Sequence, residues 1–372
     1  MQKTNQVLKS LAEAEILKKH YDVPITDIIS LALNLEGISY NKTDNPRIRF
    51  EMKQHNSKQP LFHAITNTTS SRWTHINNKV SFLGEEIGIA NTPEEDVCDS
   101  TYFRKFEKIK GKILGTEITI NSNSRSACKG CEFCGTYNLN PKDADGKDLT
   151  TKEKIRKKIN QTLKEEKISN FKHITGIGVV TGCFPDENKT LEHLLMLNNV
   201  FREEYKFKGS LKYLGAQIRS EESLRILFEE ANPFNIYFTV ECFERRNNLL
   251  KKSKQIQLSE IKNILNKAKK IGIDTSILYI AGLDSLSVFE REMKEFKPLL
   301  TTFPIINTMQ EYVPAQGLLK HPEANNIEYF LKKRKIVEKI FSETTLKPRV
   351  WENYRGLFFT KYNGCEINDT KI

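Results

Sequence analysis

The sequence predicts an α/β fold: a partial (β/α)6 barrel of parallel strands behind an N-terminal α+β extension. Three observations lead there. From about residue 111 short apolar segments alternate six times with helical ones, the pattern of parallel strands joined by right-handed helical crossovers. Several of the strand segments are continuously apolar or β-branched, as strands covered on both faces are. Every apolar run then stops at glycine, polar or charged residues, the place where α/β folds keep their functional groups. Six units are too few to close an eight-fold barrel, so a curved, partly open sheet is expected, with a flat doubly wound sheet as the second choice.

The first strand is TEITINS, and it leads into the stretch SRSACKGCEFCGTYN at residues 124–138. A charged helix follows at about 150–165. The strands HITGIGVV, LKYLGAQ, NIYFTVE and DTSILYIAG then alternate with the helices TLEHLLMLNNVFREEY, SEESLRILFEEA, LSEIKNILNKAKKIG and SVFEREMKEFKPLL. PIINTMQEYV is the sixth strand and NNIEYFLKKRKIVEKIFSE the closing helix. Ahead of this array the chain is less regular. Two helices, MQKTNQVLKSLAEAEILKKHYDV and ITDIISLALNLEG, precede short strands in RIRFEM, PLFHAITN and THINNKVSFLG, the last with an Asn-Asn turn, and NTPEEDVCDS reads as a loop. The expected organisation is therefore an extension over 1–110, the barrel over 111–345, and a C-terminal tail or lid over 346–372 that contains KPRVWENYRGLFF.

Composition narrows the function. The 372 residues are 38% hydrophobic and 28% charged, and no run approaches the roughly 18 apolar residues of a membrane span. The N-terminal stretch lacks the apolar core of a secretory signal, so a reducing cytoplasm is the expected location. Seven cysteines in a chain this long do not make a disulfide framework, and three of them fall within seven residues, which points to metal or redox chemistry. The formal charge of +11 permits an anionic partner, nucleic acid included, but the lysines are spread along the chain as solvated helix faces are, and nucleic acid is not favoured.

The three clustered cysteines are Cys128, Cys131 and Cys134. Structural zinc takes four ligands, and the nearest histidine C-terminal to the cluster is His173. A ferredoxin run would continue to a fourth cysteine, but position 138 is Asn138. A [4Fe–4S] cluster held by three thiolates leaves one iron open to a substrate or cofactor. Zinc completed by a distant cysteine stays open as the other choice.

Three closely spaced cysteines after the first strand of a βα array, with Phe133 before the last, resemble the radical S-adenosylmethionine (radical SAM) superfamily, in a shortened C-x-x-C-x-x-C form of its motif. The resemblance covers roughly residues 110–345 and implies a TIM-like partial barrel, a [4Fe–4S] cluster on Cys128, Cys131 and Cys134, and SAM bound at the open iron. It implies reductive cleavage of SAM to a 5′-deoxyadenosyl radical that takes a hydrogen atom from a substrate. TGCFP, with Thr181, Gly182 and Cys183, resembles the turn that meets the SAM amino group. ILYIAGLDS, with Gly282 and Asp284, resembles the fifth-strand motif against the adenine. Arg245 or Arg246 in ECFERR is the expected partner of the SAM carboxylate. Glu241, where the fourth strand ends, is the catalytic candidate, and Gln217, Arg219, Glu311 and Tyr354 are candidates for substrate contacts.

The leading expectation is an enzyme acting on a small molecule, anionic by the arginines and lysines near strand ends, with a flavodoxin or ferredoxin-type electron donor. Alternatives are a tRNA- or peptide-modifying member of the same superfamily, a ferredoxin-type electron carrier, and a zinc-stabilised nucleic-acid-binding protein.

Overall fold

Six parallel strands stand side by side in the order in which the chain makes them. They are β8 (Lys112–Ile120), β9 (Gly176–Val180), β10 (Ser210–Gly215), β11 (Phe234–Glu241), β12 (Asp274–Ala281) and β13 (Ile305–Thr308), and β7 (Tyr102–Ile109) adds an antiparallel hairpin partner beyond β8. This computed structural model describes residues 7–44, 46–58, 60–69, 72–95, 102–109, 112–120, 130–135, 149–180, 184, 186–252, 255–348 and 356–367. The crossovers carry α3 (Lys152–Glu166), α4 (Glu187–Asn199), α5 (Glu221–Ala231), the short α6 (Arg246–Leu249) with α7 (Leu258–Ile271), and α8 (Leu286–Phe296). The helix α9 (Ile327–Phe341) follows β13. A strand order that never reverses, joined by crossovers of one hand, places all helices on one face and curls the sheet into a half-barrel. A doubly wound sheet needs a reversal, and none occurs.

Register and pleat sort the side chains. Phe234, Ile236, Phe238 and Val240 of β11 and Ile277, Tyr279 and Ala281 of β12 belong to the core shared with the helices. The opposite, concave face carries Lys212 and Leu214 of β10, in register with Asn235 and Tyr237 of β11. At its lower end a buried ion pair, Lys212 Nζ to Glu117 Oε1 at 2.8 Å, crosses over β9. The crossing needs Gly176, because a Cβ there would stand 2.9 Å from Glu117 Oε1 and 3.0 Å from Lys212 Cε.

The N-terminal part is a second layer. Helices α1 (Leu11–Tyr21) and α2 (Ile25–Glu36) precede a sheet of β1 (Arg47–Gln54), β2 (Leu61–Thr66), β3 (Trp73–Ile76), β4 (Lys79–Phe82), β5 (Glu85–Ala90) and β6 (Glu94–Glu95). Asn77 and Asn78 both take positive φ, 50° and 63°, and close the β3–β4 hairpin as the sequence predicts. Two segments differ from expectation. Glu94–Glu95 pair with β1 rather than looping out. The sixth strand stops at Thr308 instead of running through MQEYV: Met309 makes one further bond to Ala281, and Gln310 then turns aside to the Ala64 carbonyl of the N-terminal layer.

One buried pair ties distant parts of the chain together. Arg334 of α9 donates from Nη1 to Asp27 Oδ2 of α2 at 2.6 Å, with both side chains almost wholly buried. Asp27 also accepts from the Thr360 N–H at 2.9 Å and the Thr360 hydroxyl at 2.6 Å, while Arg334 donates to the Leu357 carbonyl at 3.1 Å. Removing one partner strands the other charge in the core, at a cost of about 3–5 kcal/mol. Asp27→Ala is accordingly expected to lower the unfolding free energy by about that amount in urea titrations, and replacement of a surface-pair member such as Glu15 by less than about 1 kcal/mol.

Candidate active site at the strand ends

The cysteine turn sits on the rim formed by the C-terminal ends of the strands. Cys131 and Phe133 are buried there among Cys242, Leu249, Leu283 and Met309, with Ile280 of the concave face packed beneath. Cys134 is half-buried, and its N–H donates to the Cys131 carbonyl at 2.8 Å, closing the turn. Two neighbours hold it in place. The Glu132 N–H donates to the Leu249 carbonyl at 3.2 Å. Gln316, in the 3-10 helix Pro314–Leu319 after β13, donates from Nε2 to the Glu132 carbonyl at 2.9 Å and the Cys134 carbonyl at 3.1 Å. Gly135 lies under the Tyr312 ring, where a Cβ would approach to 3.2 Å.

The end of β11 is bent. Its pairing with β12 shifts between Thr239 and Glu241. Glu241 has φ of 67°, and the Cys242 N–H reaches back to the Val240 carbonyl at 2.8 Å. That is a γ-turn of the positive-φ kind, a strained conformation for a side-chain-bearing residue and one found at functional sites. Burial, with Asp284 nearby, pushes the Cys242 thiol well above its usual range.

Asp284 anchors this bend. It is fully buried, and its carboxylate accepts from the Phe243 N–H at 2.8 Å, the Glu244 N–H at 3.0 Å and the Tyr279 hydroxyl at 2.9 Å. Ser285, next along, caps α8 by accepting from the Val288 N–H. Arg246 is buried and spends its guanidinium on the Ile256 and Cys242 carbonyls, at 3.0 and 2.9 Å, and on that of Val240. Arg245 is half-buried and donates from Nη1 to the Leu319 carbonyl at 2.6 Å. Gly282 takes φ of 123°, and a Cβ there would come within 3.2 Å of Met309 Cβ.

The remaining candidates lie elsewhere on the rim. Gln217 and Arg219, past the end of β10, are tied toward the second strand's turn: Gln217 Nε2 donates to the Phe184 carbonyl, and the Arg219 N–H to Glu187 Oε1 at 2.8 Å. Burial raises the Glu187 carboxyl, but the N–H groups of Arg219 and Ser220 outweigh it, and the net displacement is downward. Glu311 follows β13 and accepts from Lys320 Nζ at 2.5 Å. Cys128, Thr181, Gly182, Cys183 and Tyr354 lie outside the described residues.

Residues that sequence reasoning missed support the site from behind. Lys333 of α9 is wholly buried, with its ammonium 4.3 Å from the Phe289 ring centroid and 4.6 Å from that of Tyr329, and it donates to the Tyr279 hydroxyl at 3.1 Å. Its signal was legible: it falls on the apolar stripe of α9, four residues after Tyr329 and four before Val337. Gln316 and Tyr312 gave no signal beyond being polar residues after a strand end.

No family model matches the chain, and no curated protein matches it either. Among solved structures, similarity is found to SuiB from Streptococcus suis bound to S-adenosylmethionine, at 13% identity and a TM-score of 0.37 over 53% of this chain and 41% of that one. Coproporphyrinogen III oxidase (HemN) from Escherichia coli, a radical SAM enzyme, aligns at 14% identity and a TM-score of 0.40 over 60% and 51% of the two chains. The radical SAM methyltransferase TsrM from Kitasatospora setae aligns at 12% and 0.35 over 52% and 34%. The chain thus spans about a third to a half of the structures it matches, at a similarity too low to carry an argument about this protein. No helix among the described residues is long and apolar enough to cross a membrane.

Burial pulls the Lys333 ammonium down from 10.5 to about 7, against the pull of Asp284 and Glu323. Below pH 7 the full cost of a buried charge is present. Between about 7 and 10.5 the unfolded chain holds the extra proton, so the fold gains stability as pH rises. Wild type is therefore expected to gain about 2–3 kcal/mol relative to Lys333→Met between about pH 6 and pH 9, read from paired denaturant titrations. A difference independent of pH would show Lys333 to be charged throughout.

Proposed function

We propose that this protein is a radical SAM enzyme acting on a small molecule. The observation that carries the reading is the C-x-x-C-x-x-C turn seated on the rim of six parallel strands, its Cys131 and Cys134 beside Phe133. The rim suits an iron–sulfur cluster by donor chemistry: soft thiolates are its usual ligands, and Cys131 lies with Phe133 among the apolar Leu249, Leu283 and Met309. Cys128, Cys131 and Cys134 would hold it. When bound, the cluster supplies the electron that cleaves SAM to methionine and the radical that takes hydrogen from the substrate.

The chain's own groups have separate tasks. Phe133, Leu249 and Met309 keep water from the cysteine turn. Arg245 is the group to pair with the SAM carboxylate, because the buried Arg246 is committed to the backbone of its own loop. Asp284 fixes that loop through the N–H groups of Phe243 and Glu244, and so acts on the ligand through Arg245's position. Glu241, held in a strained turn beside Cys242, is the carboxylate for ligand or substrate. A flavodoxin or ferredoxin-type protein would deliver the electron.

Anaerobically purified protein is expected to be brown with close to four irons and four sulfides per chain, and alanine at Cys128, Cys131 or Cys134 to abolish this while Cys365→Ala leaves it intact. SAM should perturb the electron paramagnetic resonance signal of the reduced protein. Stoichiometric zinc without iron would overturn the reading.

A charge-assisted bond is worth roughly 1.5–3 kcal/mol. Arg245→Met is therefore expected to weaken SAM binding by about one to two orders of magnitude with iron content unchanged, measured by titration. Arg246→Met should instead lower thermal stability, since it leaves buried carbonyls without donors.

A further inference from the structure

Lys333 of α9 occupies a place where an apolar side chain would cost less. It is wholly buried on the apolar stripe of the helix, and the Tyr279 ring, 5.1 Å from its ammonium, joins those of Phe289 and Tyr329 around it. A buried ammonium destabilises the fold, and methionine or leucine would fill the same space without that cost. A line of hydrogen bonds supplies a reason for the charge. Lys333 Nζ donates to the Tyr279 hydroxyl at 3.1 Å, and that hydroxyl donates to Asp284 Oδ2 at 2.9 Å. The Asp284 carboxylate accepts the Phe243 N–H at 2.8 Å and the Glu244 N–H at 3.0 Å, from the two residues that lead into Arg245. Tyr329, one turn before Lys333, donates to the Asp284 carbonyl at 2.5 Å, so α9 reaches Asp284 by two routes.

One member of this line changes state near neutral pH. Burial and the Asp284 charge push the Tyr279 hydroxyl well above its usual range, and Tyr329 is raised for the same reasons, so both stay phenols. Burial instead brings Lys333 down from 10.5 to about 7. The charged groups that act on it are Asp284, from the loop after β12, and Glu323, from the 3-10 helix Pro322–Asn325. From α8 it meets the Phe289 ring, and the buried Glu292 of that helix pairs with Lys262. Cys242 and Arg246, past the end of β11, act on Asp284. A charged Lys333 balances the Asp284 carboxylate and polarises the Tyr279 hydroxyl toward it, and hydrogen bonds in a chain strengthen one another. With Lys333 neutral, the buried carboxylate loses a cationic neighbour. It then draws in water or moves toward it, and Phe243 and Glu244 move with it.

We propose that Lys333 is a positioning residue: its charge, carried through Tyr279 and Asp284, holds the loop that bears Arg245, so the site takes a carboxylate ligand more tightly when Lys333 is protonated. The link from Lys333 to the loop stands on the hydrogen bonds; that the ligand is SAM rests on the radical SAM reading.

The loop is read first, in the full chain without iron or SAM. The Phe243 amide, labelled with 15N-phenylalanine and assigned by Phe243→Leu, should shift between pH 6 and 9 with a midpoint at about 7. Lys333→Met should abolish the shift. Tyr279→Phe, which cuts the line and leaves the lysine, should diminish it. His321→Gln, beside Glu323, is the control and should leave it unchanged. In the reconstituted protein, the SAM dissociation constant of wild type divided by that of Lys333→Met should rise about three- to tenfold from pH 6 to pH 9, the worth of about one hydrogen bond. Dividing by the variant cancels the titration of SAM itself. A Phe243 amide that ignores pH, or that titrates undiminished in Lys333→Met, would overturn the relay. A flat ratio of dissociation constants would overturn the positioning role. A loop that follows Lys333 in a protein holding zinc instead of iron would overturn the SAM reading and leave the relay standing.

Discussion

A single topological constraint organises the molecule: strands β8 to β13 lie in the sheet in chain order, joined by crossovers of one hand. Helices then cover only the convex face, and all the strands deliver their C-terminal ends to one rim. The cysteine turn after β8 and the loop after β13 are far apart in sequence, yet Gln316 donates to carbonyls on both sides of Phe133. No reversal in strand order creates a crevice at the sheet's middle, as in doubly wound folds. The rim is where the strained turn at Glu241 and the buried thiols of Cys131 and Cys242 meet.

Buried polar groups fix the rim with little freedom. Asp284 is turned to the protein itself: it is fully buried, and two N–H groups and a phenol use its oxygens. It belongs to a chain running from Lys333 through Tyr279 to the bend after β11, so the loop bearing Arg245 is set from the helix layer behind it. The positive-φ turn at Glu241 is held in the same way, with Arg246 donating to the carbonyls of Val240 and Cys242 on either side. A strained turn persists only when its surroundings over-determine it, and here charged donors on one side and a buried carboxylate on the other do so.

The strand–helix alternation was legible because periodicity and apolar runs are local properties: every strand from TEITINS to PIIN is found where the sequence places it. The spacing of the cysteines marked the turn after β8, and Cys131 and Cys134 are found together there. Side-chain commitment was not legible. Arg245 and Arg246 are indistinguishable as letters, and only the fold shows one guanidinium consumed by carbonyls and the other half-exposed. Asp284 reads as a ligand-binding residue beside Gly282, yet it is the bend in β11, forty residues earlier, that uses it. The sixth strand reads too long for a similar reason. Nothing in MQEYV announces that Gln310 is claimed by the Ala64 carbonyl and Asn34, more than two hundred residues away.

That claim also shows what the N-terminal layer contributes. Asn34 of α2 donates to the Ser30 carbonyl at 2.7 Å, and its Oδ1 accepts from Gln310 Nε2 at 3.4 Å. Gln310 Oε1 accepts from the Tyr312 hydroxyl at 3.0 Å, and the Tyr312 ring covers Gly135 at the end of the cysteine turn. Tyr312's own N–H donates to Gln316, the residue that grips that turn. Polar groups buried at this depth tolerate few arrangements, because each broken bond leaves an unpaired donor or acceptor. The extension therefore reaches the rim through side chains of one geometry. Without that layer Gln310 would lose its partners Ala64 and Asn34, and the Tyr312 hydroxyl a partner held in place. The layer that looks like an appendage in the sequence thus completes the wall on which the site rests.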